Sequence, residues 1–249
     1  MEPTQKAAIT TDEGLVAKAS DRELERIRSV YARRRKEICR DRYSLLNPFD
    51  LLSMQEREEG IVALLRASGI QSLTGQRILD VGCGRGNLLR RLLELGAEPG
   101  LLHGVDFLRE YVHEARRLSP HFEILQCNAA QLPFANASFE LVNQSTVFSS
   151  ILCPQMKQGV ASEMLRVLKP GGSMFWYDFF VDNPRNSDVR GVRKQEIYRL
   201  YPGCDIQLSR ITLAPPIGRF VAPYSSLLYD LLSRTKILCT HYLGLIKKK

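Results

Sequence analysis

The residues with the clearest chemical potential are one short stretch, Arg77-Ile78-Leu79-Asp80-Val81-Gly82-Cys83-Gly84-Arg85-Gly86-Asn87, and one carboxylate downstream of it, Asp106. Glycine adopts positive φ freely and lets the backbone lie against a ligand with no Cβ between them, and a helix that starts there offers unpaired N–H groups. An ordinary tight turn uses the same residues, so the partner residue decides the reading. Asp106 lies 20 residues beyond Gly86, the spacing at which a carboxylate after a second strand accepts hydrogen bonds from both hydroxyls of a ribose. The pair therefore describes a nucleoside site. A dinucleotide site for hydride transfer would want G-x-G-x-x-G, whereas here the pattern is G-x-G-x-G followed by Asn87.

The elements that position these residues follow from periodicity. Ile78, Leu79 and Val81 form a short apolar run suited to a buried parallel strand, and Leu88, Leu89, Leu92 and Leu93 recur at helical spacing up to Gly96. Strands are then expected at 101–106, 122–127, 139–145 and 173–179. The helices between them cover about 108–118 and the segment from Pro154 to Leu168, which Lys169-Pro170-Gly171-Gly172 ends. Strict alternation predicts an α/β fold, a Rossmann-like doubly wound sheet that is mostly parallel, with ligands beyond the carboxyl ends of its strands. That rule brings Asp80, Gly82–Gly86, Asp106, Asn128-Ala129 and Gln144-Ser145 to one crevice. The tail departs from alternation: a helix near 192–201, a strand near 205–213, a break at Pro215-Pro216, a helix near 224–235, an antiparallel last strand near 237–246 and unstructured Lys247–Lys249.

Upstream, residues 1–19 are polar and expected to fray. Ser20-Asp21-Arg22-Glu23 has the form of a capping box opening a helix with Leu24, Ile27, Tyr31 and Ile38 on one stripe, and Ser53-Met54-Gln55-Glu56 opens a second helix that ends at Gly69. The expected division is a helical extension or lid over 1–75, then a domain over 76–249 with a helical insertion at 214–236.

The net charge is +8 and 25% of residues are charged. Much of the excess sits on the first helix at Arg22, Arg26, Arg33, Arg34, Arg35 and Lys36, which reads as a solvated face, a phosphate contact or a docking surface for anionic lipid. The six cysteines are scattered without a C-x-x-C pair, so neither a metal site nor a disulfide framework is indicated. The N-terminus lacks the apolar run of a secretory signal, and Asp230, Arg234 and Lys236 interrupt Leu227–Ile246, so a cytoplasmic protein is expected.

Asp80-Val81-Gly82-Cys83-Gly84-Arg85-Gly86, the acidic Asp106 and Leu168-Lys169-Pro170-Gly171-Gly172 together resemble the class I S-adenosylmethionine-dependent methyltransferases, and residues 77–180 are similar to the group (methyltransferase type 11-like) whose members mostly methylate small molecules. The resemblance implies S-adenosylmethionine as cofactor. Asp80 would orient the glycine turn and the methionine end, while Gly82, Cys83 and Gly84 would lay their backbone against the cofactor and Gly86 would permit close helix packing. Asp106 would take the ribose hydroxyls and Phe107 would flank the adenine. Asn128-Ala129 stands where relatives often have Asp-Ala at the adenine amino group, and Asn can still accept that hydrogen bond. Gln144, polar within an apolar strand, is a further cofactor candidate.

Methyl transfer is an in-line displacement whose main demand is alignment, so a catalytic motif is not required. Tyr43, Tyr177 and Asp178 are candidates to face the acceptor, and no catalytic histidine is evident. The leading expectation is methylation of a small molecule at an oxygen. The alternatives are an RNA or protein methyltransferase using the basic helix and a non-catalytic cofactor-binding subunit. The extension has few aromatics to stack bases, and the fourth strand ends in Asn143-Gln144-Ser145-Thr146, unlike the Asn/Asp-Pro-Pro-aromatic motif of enzymes that methylate nucleic-acid amino groups. A nucleic-acid partner is therefore disfavoured, a membrane surface is a secondary reading, and the oligomeric state is open.

Overall fold

The computed structural model describes residues 4–37 and 40–249. Two helices, α1 (Thr4–Glu37) and α2 (Pro48–Ala67), precede β1 (Ile78–Val81), α3 (Asn87–Glu94), β2 (Leu102–Asp106), α4 (Arg109–Leu118), β3 (Glu123–Gln126), β4 (Phe139–Ser145), α5 (Pro154–Val167) and β5 (Leu168–Phe179). The chain closes with α6 (Lys194–Leu200), β6 (Asp205–Leu213), α7 (Pro215–Val221), α8 (Ser226–Arg234) and β7 (Cys239–Lys247). The strands form one sheet in the order β3-β2-β1-β4-β5-β7-β6, parallel from β3 to β5, with β7 antiparallel to both of its neighbours. This is the expected Rossmann-like α/β architecture.

Apolar side chains cover both faces of the sheet, as a parallel sheet requires. One face packs Leu79, Val142 and Trp176 against Met156, Val160 and Met164 of α5, and the other packs Ile78, Leu102 and Leu141 with Leu89 and Leu92 of α3 and Val112 of α4. The strand order reverses between β1 and β4, where Asp80 stands in register with Gly104 on one side and Asn143 on the other. A crevice at the carboxyl ends opens at such a switch point. No helix among the described residues is long and apolar enough to cross a membrane.

Four local expectations are corrected. α1 starts at Thr4, so Ser20 lies inside the helix and Glu23 does not cap it; the Glu23 carboxylate instead accepts the backbone N–H groups of Leu152 and Cys153 at the start of α5. A capping-box pattern supplies a carboxylate, and any open helix N-terminus can use it. α2 starts at Pro48, with Asn47 Oδ1 accepting from Phe49 N at 3.1 Å, ahead of the Ser53 box. Pro215-Pro216 is the first turn of α7 rather than a break, because proline suits that position. Lys248 is held, its Nζ donating to the carbonyls of Leu165 and Leu168 at 2.6 and 2.7 Å at the end of α5, where a cation is favoured. Ile38, assigned to the α1 stripe from sequence, lies outside the described residues.

Candidate active site

The glycine turn is pinned to β2. Gly82 N and Cys83 N both donate to Val105 O, at 2.8 and 2.9 Å, and Gly84 N donates to Asp106 Oδ2 at 2.9 Å. Gly82, Gly84 and Gly86 all have positive φ. A Cβ on Gly82 would stand 2.4 Å from Val147 Cγ2, whereas a Cβ on Gly84 would meet nothing within 4 Å. Glycine at 84 is thus demanded by conformation and leaves open backbone toward the space in front of it.

That space is a cavity of about 500 Å³. Its polar wall contains Asp80, Gly82, Cys83 and Gly84, then Asp106 and Phe107 after β2 and Asn128 and Ala129 after β3. Its other wall carries Leu24, Ile27 and Tyr31 of α1, Tyr43, Arg57 of α2, and Ile151 and Met156 around the start of α5.

Among the remaining candidates, Gly86 sits behind the wall as the left-handed residue that starts α3. Gln144 is fully buried in β4, its Oε1 accepting from Val147 N at 3.2 Å, so its partner is the following turn. Tyr43 reaches the cavity. Tyr177 and Asp178 are not on its wall: the Tyr177 hydroxyl bonds Thr212 Oγ1 at 3.0 Å and its ring stacks on His241, while Asp178 accepts from Ser149 N at 3.1 Å and Phe179 N at 3.0 Å. As neighbours in β5 they lie on opposite faces of the sheet, Tyr177 bonded to β6 and stacked on β7 and Asp178 bonded to the turn after β4, and neither lines the cavity. No group of three His, Cys, Asp or Glu side chains that could hold a metal occurs among the described residues.

Burial dominates the electrostatics. It pushes the Asp80 carboxyl up to about 7, against a hydrogen bond from Asn143 Nδ2 at 2.6 Å and the nearby Arg57 charge. Burial also raises Asp106, opposed by the N–H groups of Leu108, Gly84 and Phe107. Arg57 is a wall residue that sequence reasoning missed: its guanidinium lies 5.1 Å from the Tyr177 ring centroid, and its Nε is buried with no protein partner. A cation and a carboxylate at one end of a cavity are suited to the zwitterion of an amino acid.

α1 lines the cavity with Leu24, Ile27 and Tyr31 and is tied to the rest of the protein along residues 23–35. Glu23 is 7% exposed and forks onto Arg26 at 2.9 and 2.8 Å, and Arg26 also donates to the carbonyls of Ser150 and Asp188 at 2.6 and 3.1 Å. Farther along, Tyr31 Oη lies 3.2 Å from Ser150 Oγ, Arg33 pairs with Asp188, Arg35 pairs with Glu110 at 2.7 Å, and Arg28 stands 5.0 Å over the Phe107 ring.

Residues 78–172 match the family described as methyltransferase domain. The chain is 30% identical over 144 residues to a ubiquinone/menaquinone biosynthesis C-methyltransferase of Pseudomonas savastanoi pv. phaseolicola, covering 55% of this chain and 54% of that protein. It is 31% identical over 117 residues to a tRNA N(3)-cytidine methyltransferase of Gallus gallus, covering 43% and 31%. The chain spans about half the length of the curated relatives it matches. In fold it is similar to an S-adenosylmethionine dependent methyltransferase from Mesorhizobium loti, with a TM-score of 0.55, 18% identity, and 76% of this chain and 98% of that chain covered. Residues 78–172, which hold the switch point of this sheet, are a methyltransferase domain like those of these proteins, and the chain resembles the class I S-adenosylmethionine-dependent methyltransferases, whose cofactor is S-adenosylmethionine.

Proposed function

We propose that the cavity seats S-adenosylmethionine along the ends of β1, β2 and β3 and a small, largely apolar methyl acceptor beneath α1, with residues 1–75 serving as a lid over a domain of residues 76–249. The observation that carries this reading is the division of one cavity into a wall of carboxylates and open glycine backbone and a wall that includes Leu24, Ile27, Ile151 and Met156.

Asp106 takes the ribose hydroxyls. Oδ1 accepts from Leu108 N at 2.8 Å and Oδ2 from Gly84 N, and each oxygen keeps a second lone pair for the sugar. Phe107 flanks the adenine. Asn128 Oδ1 accepts from Ala130 N at 3.0 Å, which fixes the amide that meets the adenine edge. Asp80 pairs with the ammonium group and Arg57 with the carboxylate of the methionine end.

The cofactor supplies a methyl group on a sulfonium, and the chain's part is to align the acceptor and exclude water. No histidine among the described residues lines the cavity, and burial raises the Tyr111 hydroxyl on its wall, so a strong base is not provided. An acceptor that is itself acidic, a phenol or enol, suits this environment, with oxygen as the methylated atom. A second reading is methylation at carbon of the same ambident acceptor, which the C-methyltransferase relative supports.

The test is calorimetric titration with S-adenosylmethionine, followed by incubation with a panel of phenolic and enolic compounds and mass spectrometry of the products. Cofactor binding and a methylated phenol or enol are expected. Methyl transfer to RNA but to none of the panel would overturn the acceptor assignment.

A further inference from the structure

We propose that the α7–α8 hairpin is a docking surface for an anionic lipid bilayer, placing the mouth of the cavity at the membrane. The proposal stands apart from the acceptor chemistry above and needs only the fold.

The hairpin is apolar on two sides. Inward, Val221, Ala222 and Tyr229 pack with Phe49 and Leu213, and a Cβ on Gly218 would fall 2.2 Å from the Phe49 ring. This inner face accounts for its attachment to α2. Outward, Phe220 (73% exposed), Tyr224 (82%), Leu227 (80%), Leu231 (63%) and Ile237 (76%) stand in solvent with no cover among the described residues. Leu227–Leu231 is an i,i+4 pair on α8, and Phe220 of α7 meets Tyr224 of the following turn at 6.0 Å between ring centroids. Contiguous exposure on this scale marks an interaction surface.

The patch continues toward the cavity. Asp50, in the first turn of α2, lies within the fields of both Arg219 of α7 and Arg42, so the 42–46 turn and α7 flank the same helix end. That turn exposes Leu46 (94%) and carries Tyr43, which lines the cavity.

Charge selects the occupant. Arg234 borders the apolar residues, flanked by the half-exposed Lys236, whose Nζ also lies 3.9 Å from Glu56 Oε1, and by Arg219, whose guanidinium lies 5.4 Å over the Phe49 ring, and Asp230 is the only acid in 214–238. Apolar and aromatic side chains within a basic rim match the boundary of an anionic bilayer, where basic groups meet headgroups and the rings sit between water and acyl chains. A second copy of the chain would bring two such rims together on a molecule of net charge +8.

The experiment is flotation of the full chain with vesicles of phosphatidylcholine alone and of phosphatidylcholine mixed with phosphatidylglycerol, alongside gel filtration. Binding is expected on the anionic vesicles and ~10-fold less on the neutral ones. Leu227→Asp with Leu231→Asp should lower vesicle binding by at least ~10-fold at unchanged melting temperature and cofactor affinity. Arg234→Glu should weaken it about 5-fold on anionic vesicles only. Phe220→Ser with Tyr224→Ser, which leaves α8 untouched, serves if the double aspartate variant does not fold. Absence of flotation, flotation indifferent to the apolar variants, or a dimer that those variants disperse without any vesicle binding would each overturn the proposal.

Discussion

Replacing Glu23 isolates the tie that holds α1 over the cavity. The Glu23 carboxylate accepts from two backbone N–H groups at the start of α5, Leu152 and Cys153, and from both arms of the Arg26 fork. Hydrogen bonds to a charged group contribute ~1.5–3 kcal/mol each, and removing one partner of a buried ion pair costs ~3–5 kcal/mol. Arg26 keeps its bonds to Ser150 O and Asp188 O, so the lower end applies. Glu23→Ala should therefore weaken the docking of α1 by about 3 kcal/mol, a roughly 100-fold rise in its open population. Glu23→Gln retains an acceptor for α5 but loses the charge, and should cost about half as much. Hydrogen exchange measured by mass spectrometry reads this directly: amides of 20–36 should exchange faster while those of β1, β4 and β5 keep their protection. Burial raises the Glu23 carboxyl, but Arg26 and the two N–H groups outweigh it and hold it below its ordinary 4.5. Its contribution is therefore complete above that value and is lost as pH falls through the lowered one, so acid should release α1 in the wild type and not in Glu23→Gln. Unchanged exchange in 20–36, or loss of protection throughout the sheet, would refute the reasoning.

Asp106→Asn tests the ribose site more cleanly than alanine, because Asp106 also accepts from Gly84 N and Leu108 N and the amide oxygen can keep one of those bonds. Calorimetry should show a loss of S-adenosylmethionine affinity of ~10–100-fold, on the scale of ~1.5–3 kcal/mol for a charge-assisted bond, with the fold retained by circular dichroism; unchanged affinity would reject the assignment. Burial places the Asp80 carboxyl near 7, so the free protein must release a proton there before pairing with an ammonium group. Cofactor affinity should fall ~10-fold per pH unit below 7 and level off above it, and a flat profile between pH 5 and 8 would count against Asp80. For the same reason the free fold should lose stability as pH rises from the ordinary 3.8 toward 7, because the folded state binds more protons over that window.

Local chemistry made the polar wall of this cavity readable. Ile78–Val81, the glycines at 82, 84 and 86, and Asp106 each state their conformation through period, φ preference and spacing, and the structure places Asp80, Gly82, Cys83, Gly84, Asp106, Phe107, Asn128 and Ala129 around one cavity. Elsewhere the local signals pointed to the wrong partner or to none. Glu23 matches a local capping pattern yet serves a helix 129 positions away, and the proline pair at 215–216 begins a helix that composition alone reads as a stop. Gln144, Tyr177 and Asp178 are polar residues at strand ends, and only the packing of β6, β7 and the turn after β4 decided that they face inward. Arg57 is one more charge on a charged helix until α2 packs against β6 and β7. Turn and strand preferences act between neighbours in sequence, whereas the cover of the cavity is set by contacts between segments that meet only once the sheet has closed.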